Sequence, residues 1–356
     1  MDGRPDASSA EYRPTRPLPA SVRGSDGRYA VLMGQPTYFA SISNRSPSPA
    51  DLRPSAYRGK PNRDVALMQW QGLARAIHKL GIDIFVAPAD KKCPEIAYAG
   101  SAGLITDHSA NVAVADKKFI RATPADGNMK AALHFERIVR GLGVEIHNFD
   151  EPFAGEADFV KCGDQYLFTW GDTEPGRGLL GKKAPAFGSD RSLREPLSSA
   201  VGNKRVFEMQ LIDPRFPRAD FCACPVGPGR RILMVYVEAL NDDARRVILA
   251  GKSKVADFII PISHEDAAMY AANSFQITDK RGRHHLLMPD GVSSDLVGRV
   301  ESAGIRPVLI ELSEWIKRDR GGVKALLCDL GWMCDDRRTH LPEITDFRKS
   351  IRYRPG

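Results

Sequence analysis

The chain contains no apolar run approaching the roughly 18 residues that cross a bilayer. Its opening 28 residues hold no apolar segment of the signal-peptide kind, so neither a membrane span nor a secretory leader is expected. That stretch, rich in Pro, Ser, Arg and Asp with almost nothing to bury, reads as a disordered extension over 1–28. Cysteine is scarce, six in 356 residues. Scattered thiols in a long chain suit a reducing cytosol better than a disulfide framework. Cys222 and Cys224 share one face of a strand, but a single C-x-C without two further ligands makes a poor zinc site, and no metal or cofactor is expected. No Gly-rich phosphate loop is present either. The net charge of +7 is concentrated at the end: the last twenty residues carry six Arg/Lys against two acids. With no nucleic-acid motif beside them, residues 335–356 read as a solvated basic tail, and nucleic acid is not an expected partner.

What is present is a rhythm. Five amphipathic stretches with apolar residues three to four apart cover 61–80, 125–142, 189–201, 240–251 and 292–304. Each is followed at once by a short apolar run: IDIFVAP, VEIHNFD, RVFEMQL, ADFIIPI and IRPVLIEL. Before helices two to five stand pairs of strand candidates, GLITD with NVAVA, DFVKC with QYLFTW, FCACPV with RRILMVYV, and NSFQIT with HHLLMP. The unit is strand–strand–helix–strand. The first copy lacks a strand, which VKALLCDL near the C-terminus can supply, tying the chain ends together. Repeats of this length point to a closed or stacked α/β architecture, with a doubly wound sheet as the alternative.

Five segments in order carry a resemblance. They are Met33-Gly34-Gln35-Pro36-Thr37-Tyr38-Phe39, Pro94-Glu95-Ile96-Ala97-Tyr98 with Gly103-Leu104, Phe153-Ala154-Gly155-Glu156-Ala157-Asp158-Phe159, Asp213-Pro214-Arg215-Phe216 and Gly321-Gly322-Val323-Lys324. They resemble segments of the pentein superfamily of guanidine-modifying enzymes, the amidinotransferases and dimethylarginine dimethylaminohydrolase-like proteins. The resemblance implies a single α/β domain over 29–334, a five-bladed propeller. It also implies a cysteine thiolate that attacks a guanidinium carbon, a histidine that shuttles protons, and acids that grip the guanidinium nitrogens.

Carried over position by position, the acids survive and the dyad does not. Glu156 and Asp158 stand at the family's Glu-x-Asp and are expected on one face of a strand entrance; Asp220 remains as well. The histidine of "D-P-R-F-x-H-L-D" is Arg218, and the cysteine of "G-G-x-x-C" is Ala325. An arginine cannot shuttle protons near neutral pH. Arg218 is expected to reach Glu156 and Asp158 as an internal substrate mimic. Cys328 is the candidate for a displaced nucleophile, set against a buried core thiol, since an odd offset along a strand faces away. Cys222 and Cys224 are minor candidates. His264, His284 and His285 lie in the fifth unit, while His78, His134 and His147 sit on or beside helices. The segment 43–62, with Arg45, Arg53 and Arg58, is a candidate lid. The function expected is binding of a small guanidino or amidino compound without covalent catalysis. The alternatives are an active hydrolase or amidinotransferase using a displaced nucleophile, and an inactivated Cys-to-Ala variant. A homodimer is left open.

Overall fold

The computed structural model describes residues 28–39, 48–52, 62–172, 187–250, 255–317, 321–333 and 341–355. Of the extension expected over 1–28, residues 1–27 lie outside them, as do the candidate lid arginines Arg45, Arg53 and Arg58, whereas Arg28 opens the first strand.

Fifteen strands form five three-stranded sheets of one internal pattern among the described residues. In each, a first strand pairs antiparallel with a second, and the second pairs parallel with a third across a helix. Unit one is split between the chain ends. It holds β1 (Arg28–Gly34), α1 (Arg63–Lys79) and β2 (Asp83–Ala87). Unit two holds β3 (Gly103–Ile105), β4 (Lys118–Arg121), α2 (Lys130–Gly141) and β5 (Glu145–His147). In unit three these are β6 (Phe159–Cys162), β7 (Gln165–Trp170), α3 (Arg194–Ala200) and β8 (Val206–Gln210). Unit four runs β9 (Ala223–Val226), β10 (Ile232–Val235), α4 (Asp242–Leu249) and β11 (Phe258–Pro261). After a short α5 (His264–Ala268), unit five runs β12 (Phe275–Thr278), β13 (His284–Pro289), α6 (Ser294–Ser302) and β14 (Arg306–Ile310). The chain continues through α7 (Ser313–Ile316) to β15 (Leu327–Met333), which pairs antiparallel with β1 and completes unit one. The closing strand starts within the segment VKALLCDL and ends three residues past it.

Three of the five unit helices start at a side-chain cap. Asn62 accepts from the Asp64 and Val65 amides ahead of α1, Asn241 caps α4, and Ser293 caps α6. Their apolar faces, such as Leu73, Ala74 and Ile77 of α1, pack into a core shared with units four and five. A second cluster joins units one and two through Leu32, Phe119, Phe135 and Leu330.

Two sequence expectations need correction. The second strand of unit two is not NVAVA but Lys118–Arg121, because Val114–Asp116 forms a 3-10 turn. Lys117 is fully buried there, and its Nζ donates to the carbonyls of Asp107 and Ser109, both at 2.9 Å. The basic tail is not simply solvated. Residues 341–355 include α8 (Pro342–Ile351), whose Ile344, Phe347 and Ile351 fall on one face. Phe347 packs against Gly141, Arg348 donates to the Leu142 carbonyl at 2.9 Å, and Arg352 makes two 2.7 Å bonds to Asp83. Charge hid an amphipathic helix.

One-turn 3-10 segments lead into the first strands of four units: Ala99–Ser101, Gly155–Ala157, Ala219–Phe221 and Lys324–Leu326. In the segment of unit three, Gly155 has φ +69, and a Cβ there would lie 2.7 Å from the Gly103 carbonyl oxygen. Both backbone angle and space demand glycine. Gly155→Ala is expected to destabilise the protein by about 3 kcal/mol in urea titration, with the fold otherwise kept; a change below about 0.5 kcal/mol would contradict this packing.

Candidate functional site

The residue three places before the first strand of each unit holds an equivalent position: Gly100, Glu156, Asp220, Ala272 and Lys324. Four of these five line one small cleft, together with Cys224, Arg230, Phe275 and Gln276. Gly100 is absent from it for a steric reason. A Cβ there would fall 2.3 Å from the Lys324 carbonyl oxygen, so unit two meets this loop backbone to backbone. The cavity volume is about 30 Å³, room for a water or two.

Glu156 is buried, and the ammonium of Lys324 sits 2.5 Å from its Oε1. The same oxygen accepts from the Asp329 amide at 2.9 Å. Burial pushes the Glu156 carboxyl up to about 7, against the pull of Lys324. Behind it, Asp329 accepts from the Tyr29 hydroxyl at 2.7 Å and from Arg230 Nη2 at 3.5 Å. Burial alone would raise Asp329, but the surrounding positive groups and the Tyr29 hydroxyl hold it below the ordinary carboxylate range. His108 Nε2 lies 3.8 Å from Asp329, and burial holds the imidazole below its usual pKa. His108, Glu156 and Asp329 each offer a ligand atom within 4.8 Å of the others, the spacing of a metal site. A dication there would face both the Lys324 ammonium and the Arg230 guanidinium, so the charge is already compensated by side chains.

Asp220 takes Arg218 Nε at 3.1 Å and Asn273 Nδ2 at 2.9 Å. Asn273 is the hinge pin of the site. Its Oδ1 accepts from the Gly322 and Ala325 amides, at 2.8 and 2.9 Å, and its carbonyl accepts from the Lys324 amide at 3.0 Å. One buried amide thus fixes the G-G-V-K loop against Asp220.

The sequence candidates separate. Glu156 and Asp220 line the cleft and Asp158 does not. Glu156 belongs to a 3-10 turn, where residues two apart do not share a face. Asp158 turns inward and accepts from Thr169 Oγ1 at 2.7 Å, Ser189 Oγ at 2.8 Å and the Ala219 amide at 2.8 Å. Burial raises its carboxyl to about 6, partly offset by those donors. It ties unit three to unit four rather than facing a ligand. Arg218 does not reach Glu156 or Asp158 as expected: it pairs with Asp220, its guanidinium 4.6 Å over the Phe221 ring. The cation placed on Glu156 is Lys324. Sequence reading passed over it because it fell on an unspecified position of the G-G-x-x-C pattern. The spacing of three residues before each first strand is the signal that finds it. His108, Arg230, Asp329 and Tyr29 were also missed; they meet only through tertiary contact.

Ala325 is buried and lies beside the cleft, not in its lining. Cys328 is fully buried, paired across the sheet with Leu32, and burial pushes its thiol well above the ordinary value. Cys222 is likewise raised by burial. Cys224 lines the cleft, and burial lifts it to about 11, although Arg230 and Lys324 pull it down. None of these thiols is a thiolate at neutral pH. His284 and His285 bond Thr278 and Asp279 on opposite faces of β13, His264 contacts Tyr236, and none of the three lines the cleft.

No protein-family model matches the chain. It is 26% identical over 272 residues to the bifunctional arginine dihydrolase/ornithine cyclodeaminase AgrE of Nostoc sp. PCC 7120, covering 75% of this chain and 33% of that protein. The match to the like-named ArgZ of Synechocystis sp. PCC 6803 is 26% over 268 residues, with the same coverage. The chain therefore spans about a third of the length of these curated relatives. Among solved structures, the substrate-bound N-terminal domain of ArgZ, a cysteine-to-serine mutant, superposes with a TM-score of 0.66 at 20% identity, covering 85% of this chain and 98% of that one. A dimethylarginine dimethylaminohydrolase bearing an S-methyl-L-thiocitrulline adduct gives 0.62 at 16%, covering 85% and 100%. The fold is that of the pentein enzymes. An AgrE mutant in complex with L-arginine gives 0.68 at 21%, covering 87% of this chain and 41% of that one.

A carboxyl with a raised pKa holds its proton more firmly in the folded protein. The stability it adds is present below its ordinary pKa and is lost as pH rises through the folded value. For Glu156 that window runs from 4.5 to about 7. Glu156→Gln is expected to flatten the fall of unfolding free energy across this window, by at most roughly 3 kcal/mol. Urea titrations at pH 4.5 and 7.5 check it; equal slopes in variant and wild type would contradict the assignment.

Proposed function

We propose that this chain binds a small guanidino or amidino compound in the cleft between Glu156 and Asp220, without the covalent cysteine–histidine chemistry of the enzymes it resembles. The five units are set around a common axis as a propeller, and the cleft marks that axis. The observation that carries the reading is the makeup of the cleft: two buried carboxylates from equivalent positions of adjacent units, with no ionisable thiol and no histidine in the lining. Carboxylates of this kind suit a planar cation that donates in-plane hydrogen bonds. Attack on a guanidinium carbon needs a thiolate, and Ala325 supplies a methyl group where the resemblance places one. Arg218, fixed on Asp220, cannot pass protons. Relatives named for arginine dihydrolysis support the ligand class. No described helix is long and apolar enough to cross a membrane, and buried, unpaired thiols suit the cytosol.

One observation favours a second reading. Cys224 lines the cleft beside Asp220 and Arg230, so a ligand that excluded water could bring its thiol against the guanidinium carbon. The two readings part in one experiment. The protein is titrated calorimetrically with arginine, agmatine and methylguanidine, and each mixture is assayed for ammonia, urea and amine. Binding without product is expected, strengthening as pH rises through about 7 and Glu156 ionises. Product formation abolished in Cys224→Ala would establish the enzyme instead. Ala325→Cys alone is expected to remain inert, because Arg218 still occupies the proton-shuttle position.

A further inference from the structure

We propose that Lys324 is the cleft's resident cation: its ammonium occupies the place on Glu156 that a ligand's guanidinium takes, so the site is closed by its own chain and opens only when Lys324 is displaced. This rests on the guanidino-binding reading above and adds what governs access to it.

Three features carry the inference. The Lys324 Nζ contacts Glu156 Oε1 at 2.5 Å and lies 5.2 Å over the ring of Phe275, so it is held by a charge on one side and a ring face on the other. The cleft beside it has a cavity volume of about 30 Å³, room for a water or two but not for a guanidino compound with every side chain in place. A ligand must therefore move a side chain to enter. The remaining walls are poor candidates to yield. Asp220 is clamped by Asn273 and Arg218, and Gln276 is bonded on both sides of its amide to the Gly227 backbone. Backbone bonds to Asn273 fix the Lys324 main chain, yet its four-carbon stem can swing the ammonium away without moving that loop.

The chemistry follows. An incoming guanidinium exchanges one charge-assisted contact on Glu156 for another, so its affinity is only the difference between the two. Lys324 sets the selectivity as well. A ligand must bring a positive head group, because a neutral one would leave the ammonium in place.

The test uses the whole chain and methylguanidinium as probe, read by calorimetry. Lys324→Met keeps the stem and removes the charge. It is expected to bind about ten-fold tighter or better, the worth of one charge-assisted hydrogen bond. Lys324→Arg, which puts a guanidinium back on Glu156, is expected to gain nothing. Should Lys324→Met fold poorly by thermal melt, Lys324→Gln serves in its place. If wild type binds and the neutral variants bind equally or more weakly, the lock is overturned while the guanidino reading stands. Methylurea binding to wild type and lost in Lys324→Met also overturns it, since Lys324 would then be a donor to the ligand. Absence of binding in every variant overturns the guanidino reading itself, and the lock with it.

Discussion

The ion pair between Lys324 and Glu156 joins the end of the chain to its middle, and the organisation of the site depends on it. Lys324 reaches Glu156 only because β15 crosses back to pair with β1, which fixes the lead-in turn of the closing strand at the same level as those of units three and four. In return, the pair neutralises a buried carboxylate that would otherwise stand beside Asp329 uncompensated. A buried charge without a partner is costly enough to reshape a fold, so pairing and closure support each other.

Around that pair the five units contribute by position. The residue three before each first strand is glycine, glutamate, aspartate, alanine or lysine. A single geometric slot is filled with a close approach, two acids, a small spacer and a base. The repeat gives each side chain the same direction, and substitution within it decides what the cleft can hold. Asn273 then ties the backbone of the loop that carries Lys324 and Ala325 to Asp220, leaving the Lys324 side chain its own freedom.

Much of this was legible in the sequence. The helices fell where the three-to-four spacing placed them, and the closing strand was readable because one unit lacked a partner. Strand NVAVA was misread because apolar alternation also fits a 3-10 turn under a buried lysine. The tail was misread because its charge count masked Ile344, Phe347 and Ile351. At the site, Glu156 and Asp220 were found through the resemblance, but Arg218 was given Glu156 as a partner when Asp220, two residues away, satisfies it sooner. Lys324 could not be assigned from a motif that leaves its position open, and His108, Arg230 and Asp329 converge from three different units, a relation no local pattern encodes.

The central claim is that Glu156 holds a cation and that this cation is exchangeable. A crystal structure of the protein soaked with methylguanidinium tests it most directly. The account predicts guanidinium nitrogens within about 3 Å of Glu156 carboxylate oxygens, with the Lys324 ammonium swung off and no covalent bond to any sulfur. A ligand found elsewhere with the Lys324–Glu156 pair intact, or one bonded to Cys224, would contradict it.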